Sequence, residues 1–188
     1  TSLSDDAAAL KRTLARTEGP VIVAGHAYAG AVIATAHDER VKALVYIAAL
    51  AVDEGETVAQ IFYRDETHPK APQLAPDADG FIWLPDEAFA NAFAQNASAE
   101  QIALSKAVQR PISVKSIQEL APAPAWKSKP SWYLIAEQDR MINPKTQHFM
   151  AERMKATVRS FEVDHTPLIT APDKGVDLAI AAFTPFDI

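Results

Sequence analysis

The sequence contains no cysteine among its 188 residues. This absence excludes disulfide bonds, thiolate zinc sites and a cysteine nucleophile, and it favours a cytoplasmic location. No apolar run approaches the ~20 residues that span a bilayer, so no association with a membrane is expected. The net charge is −6, and the basic residues form no patch that would hold a phosphate backbone, which argues against nucleic-acid binding.

Four runs of residues are predicted as the strands of an α/β fold, at residues 21–24, 43–48, 131–136 and 158–163. Helical segments separate these runs, and this alternation favours a doubly wound, mostly parallel sheet with right-handed crossovers. Ser2 and Asp5 have the spacing of a capping box and predict an amphipathic helix before the first strand. With 48% apolar residues, the chain can bury one core, so we predict one structural domain.

The segment of residues 53–129 is too long for a simple crossover, and it contains several prolines and two helical stretches, 86–95 and 98–109. We interpret it as a helical cap inserted between two core segments, residues 1–52 and 130–188. The predicted aromatic lining of this cap is Phe81, Trp83, Phe89, Phe93 and Trp126. Phe81, Trp83 and Trp126 are the candidates for contact with a substrate, although each also suits an ordinary hydrophobic core.

Residues 21–30 read as a strand, a sharp turn and the start of a helix. This arrangement is typical of a nucleophile elbow, in which small residues flank a strained position whose side chain stands above the sheet. Ala27 occupies the nucleophile position, and Ala29 stands where the second glycine of the motif usually does. A methyl group cannot attack a carbonyl carbon, so the attacking atom of a covalent catalyst is absent.

Together with three later segments, this elbow resembles the α/β-hydrolase superfamily, in particular its small esterase and hydroxynitrile-lyase-like branch. Residues 44–56 are similar to the next strand and loop of that branch. Residues 131–140 are similar to the strand that delivers the triad acid, and residues 163–167 to the loop that delivers the triad histidine. The order elbow, acid, histidine is the order that this family uses.

The resemblance implies that His165 is the triad histidine and that Asp139 orients it through Nδ1. It also implies that the backbone N–H of Tyr28 is a donor to a developing oxyanion. Other interpretations stay open, since His165 suits a loop histidine that caps a carbonyl and Asp139 suits an Asx-turn or a helix N-cap. Asp53, which follows the preceding strand, competes for the role of the acid, but Asp-Glu-Gly is also typical of a solvated turn.

The remaining histidines do not indicate a metal site. His26 adjoins the elbow, but a residue that precedes the nucleophile faces away from it, so we expect packing or a backbone hydrogen bond. His37, His68 and His148 are predicted to lie on the surface or in the cap. No pair of histidines has the i, i+4 spacing of a helical metal site, and neither a metal nor another cofactor is predicted.

The resemblance further implies several strands before the elbow, including a His-Gly turn that supplies half of the oxyanion hole. The sequence begins at Thr1 with one predicted helix before the elbow, so we expect the N-terminal part of the same protein as a partner of this chain. Without it, the strand at residues 21–24 is expected to be an unpaired apolar edge. A small-molecule substrate or ligand is the other expected partner, and a homodimer stays open.

Three functions are compatible with these residues. The first is a carboxylic-ester hydrolase in which Ala27 replaces the serine, so that serine-type hydrolysis is lost or altered. The second is a lyase, isomerase or cofactor-free oxygenase in which His165 and Asp139 act as a general-base dyad. The third is a non-catalytic small-molecule binder. Retention of both dyad residues argues against the binder, and the double departure at Ala27 and Ala29 favours a natural origin of the alanine.

Overall fold

The computed structural model describes residues 1–186, and its strands confirm the predicted α/β fold. The strands are β1 (Val21–Ala27), β2 (Val41–Ala49), β3 (Phe81–Ile82), β4 (Ile112–Ser113), β5 (Ser131–Ala136) and β6 (Thr157–Phe161). The central sheet has the order β1-β2-β5-β6, and every pair in it is parallel. All four predicted strands are therefore present, and β1 extends three residues beyond its predicted end, through the elbow to Ala27.

Helices connect the strands of this sheet. They are α1 (Leu3–Leu14), α2 (Ala29–Ile33), α3 (Val58–Phe62), α4 (Asp86–Ala88), α5 (Ala99–Val108), α6 (Val114–Gln118), α7 (Pro144–Arg153), α8 (Pro167–Thr170) and α9 (Pro172–Phe183), with a π-helix over Phe89–Phe93 and 3₁₀ helices over Ala125–Lys127 and Thr184–Phe186. The capping box predicted for α1 is present, since Ser2 and Asp5 each accept a hydrogen bond from the other's backbone N–H. Among residues 1–186, no helix combines the length and apolar character needed to cross a membrane.

Two hydrophobic clusters cover the two faces of the sheet. On one face, Tyr46 and Tyr133 pack with residues of α1, α2 and α7. On the other, Ile47 and Leu134 pack with Leu178 of α9. Because β2 and β5 lie in the middle of the sheet, nearly all of their side chains are buried, which is the burial expected of central parallel strands. The sheet is therefore doubly wound, as predicted.

Strand β1 lies at one edge of the sheet. Within residues 1–186 it pairs with β2 alone, through a register that shifts between His26 and Ala27. Its second edge is unpaired in this part of the chain, as expected for the strand at residues 21–24. At this shift Ala48 of β2 has no partner in β1, so the extra residue forms a bulge in β2 beside the carboxyl end of β1, where the site described below is built.

The segment of residues 53–129, here called the connecting segment, runs from β2 to β5. The helix predicted over residues 86–95 is instead the short α4 followed by the π-helix, whose end is marked by donation from Ala94 N to Phe89 O at 2.8 Å. Strands β3 and β4 form a small two-stranded antiparallel sheet that was not predicted, because two-residue strands are too short to leave an alternating pattern. The role of this segment as a cap stays a prediction.

Gly30 allows α2 to approach the loop after β2. A Cβ atom at Gly30 would lie 2.5 Å from Leu50 O and 2.9 Å from Leu50 N, both backbone atoms of a buried residue. We expect Gly30→Ala to lower the free energy of unfolding by about 1–3 kcal/mol in urea denaturation, because the elbow must shift to admit the methyl group. The matched control is Gly175→Ala in α9, where the nearest atom is the flexible end of Leu168. Equal effects of the two substitutions would contradict this account.

Candidate active site

The elbow has the strained backbone that its sequence predicts. Ala27, the last residue of β1, has a φ of 50°, a left-handed conformation that is unfavourable for a residue with a Cβ atom. Ala27 O accepts a hydrogen bond from Leu50 N at 2.9 Å, which holds the turn against the end of β2. A Cβ atom at Gly25 would lie 2.8 Å from Ala29 O, so glycine is needed there for the tight reversal into α2. The elbow therefore places the methyl group of Ala27 above the carboxyl end of the sheet.

Asp139 lies just after β5, and its side chain is fixed by hydrogen bonds from three neighbours. It is 2% exposed. Its Oδ1 accepts from Met141 N at 2.7 Å and Ile142 N at 2.9 Å. Its Oδ2 accepts from Gln147 Nε2 at 2.8 Å. Donors of this kind stabilise a charged carboxylate and restrict it to one orientation.

His165 is the fourth partner of this carboxylate. Its Nδ1 lies 2.7 Å from Asp139 Oδ2, and the imidazole is 3% exposed. Because an ionised carboxylate only accepts hydrogen bonds, this contact assigns the proton of a neutral imidazole to Nδ1 and leaves Nε2 as an acceptor. The structure thus brings together the predicted histidine and the predicted acid, in the arrangement that a general base requires.

His26 and Phe93 hold His165 from two sides. His26 Nε2 lies 2.6 Å from His165 O, and the two rings are 4.7 Å apart between centroids. Phe93, from the π-helix, packs against the other side at 5.4 Å between ring centroids. His26 thus makes the backbone hydrogen bond expected for it and has no place as the base. Burial, with a smaller effect from the His165 charge, lowers the pKa of His26 to about 4.

This low pKa makes the stability of the fold depend on pH through His26. Between pH 6.5 and about 4, the unfolded chain binds a proton at this residue that the folded chain does not bind. The free energy of unfolding therefore falls as the pH falls through this window, by up to about 3 kcal/mol, and His26 adds no further loss below it. Urea unfolding at a series of pH values measures the slope.

The control for this prediction is His26→Gln, which keeps a donor for His165 O but does not titrate. Carboxylates contribute their own pH dependence equally to both proteins, so the difference between the two curves isolates His26. We expect the variant to have the shallower slope between pH 6.5 and about 4. Parallel curves would contradict a buried, neutral His26.

Two further buried residues support the dyad and were missed in the sequence. Gln147, in α7, donates to Ile142 O at 3.0 Å and accepts from Ala136 N at 3.0 Å, so its amide is locked beside Asp139. Asp164 precedes His165 and accepts from Asn96 N at 3.0 Å, which ties the chain after the π-helix to the histidine loop. No spacing motif in the sequence distinguishes a buried glutamine on a helix, such as Gln147, from an exposed one. For Asp164, its position next to His165 was the one available indication that it lies at the site.

A cavity of about 160 Å³, here called the inner chamber, has Ala27 and His165 in its wall. Apart from His165 its lining is aliphatic and aromatic, and among the described residues it includes no serine, threonine, cysteine or carboxylate. Tyr28 also lines it, and within residues 1–186 the backbone N–H of Tyr28 donates to no other group. The chamber can therefore receive an apolar molecule beside one imidazole and one free backbone donor.

The aromatic residues predicted to contact a substrate do not line this chamber. Phe81 and Trp83 are 36% and 48% exposed on the surface. Trp126 is buried, but its Nε1 donates to Val52 O at 3.0 Å and its side chain belongs to the core cluster that contains Tyr46 and Tyr133. The aromatic residue that the structure places against His165 is Phe93, which had been assigned only to the general lining of the cap.

The other titratable candidates lie away from the dyad. Asp53 forms an ion pair with Lys127 at 2.5 Å rather than with a histidine. His37, His68 and His148 are exposed. In the described part of the chain, no group of three or more histidine, aspartate or glutamate side chains is arranged to hold a metal ion.

The sheet is doubly wound and parallel, its first strand ends in a strained elbow, and an acid and a histidine follow at the carboxyl ends of later strands. This combination defines a hydrolase-type α/β protein. A family model described as Alpha/beta hydrolase family matches residues 1–178. The chain belongs to the alpha/beta hydrolase family. No curated protein sequence matches it significantly.

Solved structures of esterases and related proteins share this fold. A pyrethroid hydrolase from Sphingobium faniae JZ-2 aligns with 100% of this chain and 80% of its own, at 22% identity and a TM-score of 0.83. A methylesterase from Arabidopsis aligns with 93% of this chain and 75% of its own, at 20% identity and a TM-score of 0.74. A variant of tomato methylketone synthase I aligns with 97% and 79%, at 16% identity and a TM-score of 0.77. At these identities the similarity establishes the fold alone. The activity has to be inferred from the residues of the candidate site.

Proposed function

We propose that His165, oriented by Asp139, moves protons to and from a small carbonyl compound that lies over Ala27. In this proposal Ala27 stands at the nucleophile position and serine-type ester hydrolysis is lost. The observation that carries the proposal is the 2.7 Å contact between His165 Nδ1 and Asp139 Oδ2 at the wall of an apolar chamber that Ala27 also lines. A base with a free Nε2 and no neighbouring nucleophile is suited to proton abstraction rather than acyl transfer.

The proposed step is the removal of a proton from the carbon next to the carbonyl group. His165 Nε2 takes the proton, the electron pair of the C–H bond becomes the enolate, and Asp139 stabilises the imidazolium. The negative charge develops on the carbonyl oxygen, where the backbone N–H of Tyr28 is the proposed donor. The proton then returns from Nε2 to carbon. The methyl group of Ala27 leaves room for the substrate where a serine hydroxyl would otherwise stand.

A carbonyl substrate has support from one structural relative. The tomato methylketone synthase I variant was crystallised in complex with beta-ketoheptanoate, a keto acid with a short alkyl chain. The inner chamber of the present protein has the matching chemistry, because its wall is almost wholly apolar around the single imidazole. This relative supports the class of compound that we propose as substrate. The proposal that His165 acts on it rests on the geometry of His165.

Exchange of α-protons for deuterium in a methyl ketone, followed by proton NMR in D₂O, tests the proposal without knowledge of the natural substrate. We expect the protein to accelerate this exchange and His165→Gln to lower the acceleration by about 10²–10⁴-fold. Equal exchange with both proteins would reject His165 as the base. Binding of the ketone without exchange in either protein would overturn the proposal in favour of the non-catalytic binder.

A further inference from the structure

A second cavity, of about 400 Å³, adjoins the inner chamber. It is here called the outer chamber, and its wall includes Leu84, Phe89, Phe93, Ser105 and Ile169. Phe93 is thus a wall residue of the outer chamber and a packing partner of His165, at 5.4 Å between ring centroids. The outer chamber is therefore bounded by a ring that packs on the dyad and is not a remote surface feature.

The two chambers share one wall, made of Leu74, Ile82, Ile112 and Met141. Ile82 and Ile112 are directly paired between β3 and β4, so one cross-strand pair forms half of the boundary between the two spaces. All four side chains are apolar, and a methionine adapts to neighbours more readily than other core residues. No polar barrier is present in this wall to stop an alkyl chain.

The volume of the inner chamber limits what fits there. An apolar cavity of about 150 Å³ is known to hold one benzene molecule, and the inner chamber has about 160 Å³. A ligand of more than about six carbon atoms therefore exceeds the inner chamber and extends beyond it. The outer chamber, with about 400 Å³, offers the larger volume.

We propose that the two chambers form one binding site for an elongated aliphatic carbonyl compound. The carbonyl end lies in the inner chamber beside His165, and the alkyl chain passes between Ile112 and Met141 into the outer chamber. The orientation of the carbonyl end rests on the proposed function. The existence of one continuous site for a long chain rests on the shared wall and the two volumes.

Methyl ketones of increasing chain length test this site by calorimetric titration. If the chain enters the outer chamber, each added methylene group raises the affinity about threefold to fourfold, and the rise continues from about five to about eleven carbons. An affinity that stops rising once the inner chamber is filled, at about six carbons, would overturn the proposal. Proton transfer is not needed for this measurement.

A variant that fills the outer chamber makes the test specific. Ser105 lies in the outer chamber wall on α5, and Ser105→Phe would place a ring in that space. We expect this variant to bind the longest ketone at least about tenfold more weakly and the shortest ketone unchanged, since about two buried methylene groups account for a tenfold change. The matched control is Leu104→Phe on the same helix, at a residue that is 63% exposed and lines neither chamber.

The outcomes separate this inference from the proposed function. His165→Gln removes the base but leaves both chambers, so the dependence of affinity on chain length should persist in it. Loss of exchange activity with an intact chain-length series would reject only the proposed function. Normal exchange with an affinity that stops rising at about six carbons would reject only the elongated site. If Ser105→Phe fails to fold, as judged by circular dichroism, the series with the unmodified protein decides the question.

Discussion

Asp139→Asn is expected to lower the rate of α-proton exchange by about 10³–10⁴-fold, measured by NMR with a bound methyl ketone. The reason is the tautomer of His165 rather than a loss of contact. An asparagine presents an N–H to the ring where the carboxylate presented an oxygen, so His165 Nδ1 must become the acceptor. The ring proton then moves to Nε2, the atom that has to remove the substrate proton, and the base is blocked.

The hydrogen bonds around Asp139 prevent an asparagine from escaping this conflict by turning over. Met141 N and Ile142 N both donate to Oδ1, so the amide oxygen must stay there. The amide nitrogen then occupies the position of Oδ2, where it faces His165 Nδ1 and the donating Nε2 of Gln147. Two N–H groups that face each other in a buried site cost about 1–3 kcal/mol, so a lower free energy of unfolding should accompany the loss of rate.

The matched control is Asp53→Asn. Asp53 also follows a strand of the sheet, but its carboxylate pairs with Lys127 at the surface. A partly exposed ion pair contributes less than about 1 kcal/mol, and no effect on exchange is expected there. If Asp53→Asn abolished exchange and Asp139→Asn did not, the acid would be misassigned and the mechanism would have to be rebuilt around Asp53.

The sheet could be predicted because its strands leave local sequence patterns, and the dyad because four segments in the right order resemble the α/β-hydrolase superfamily. A buried parallel strand such as β5 is a continuous apolar run, and such runs are visible without knowledge of the fold. The capping box at Ser2 and Asp5 is likewise a local device, formed by atoms within one turn of helix. Asp139 follows such a strand and His165 follows β6, so the topology of parallel strands brings both to the same edge of the sheet.

The surroundings of the dyad depend on contacts between distant parts of the chain. Gln147 reaches Asp139 because α7 packs against β5, and Asn96 reaches Asp164 because the connecting segment folds back over the histidine loop. Neither contact leaves a periodic pattern in the sequence. Which aromatic residue lies beside His165 also depends on tertiary contacts. Trp126 and Phe93 have similar hydrophobicity, and only the path of the backbone brings Phe93 to His165.

The π-helix illustrates a local prediction that tertiary structure overrides. Residues 86–95 have the composition of an α-helix, and the observed chain forms one short turn of α-helix and then widens over Phe89–Phe93. The widened turn leaves Phe89 buried while Phe93 packs on the ring of His165. Widened turns of this kind are frequent at functional sites, where they redirect a side chain that regular spacing would misplace.

Ala27→Ser is expected to create esterase activity, about 10³-fold above that of the unmodified protein, with an activated ester such as p-nitrophenyl acetate. Removal of a triad serine from a complete site costs about 10⁶ in turnover. The loss of one oxyanion donor costs about 10²–10³, and only one donor, Tyr28 N–H, is identified here. The expected increase in ester turnover is therefore large but smaller than the increase that a complete oxyanion hole would allow.

The backbone at position 27 is already prepared for this serine. Its φ of 50° is the strained conformation that sets a nucleophile above the sheet, and alanine retains it although alanine gains nothing from the strain. The chamber wall brings position 27 and His165 together, so a hydroxyl at position 27 has a base available. An acyl intermediate should form at position 27, and a fluorophosphonate probe should label that residue, as detected by mass spectrometry.

Two controls decide whether this activity comes from the proposed machinery. Ala29→Ser introduces the same hydroxyl two residues away, after the elbow, and should leave ester turnover at the level of the unmodified protein. The double variant Ala27→Ser with His165→Gln should lose nearly all of the gain, because a serine without its base is a weak nucleophile. A folded Ala27→Ser protein that neither turns over the ester nor reacts with the probe would show that position 27 is not a nucleophile position. The alanine would then have no relation to a lost hydrolase, and the exchange experiment with the methyl ketone would decide the role of the dyad.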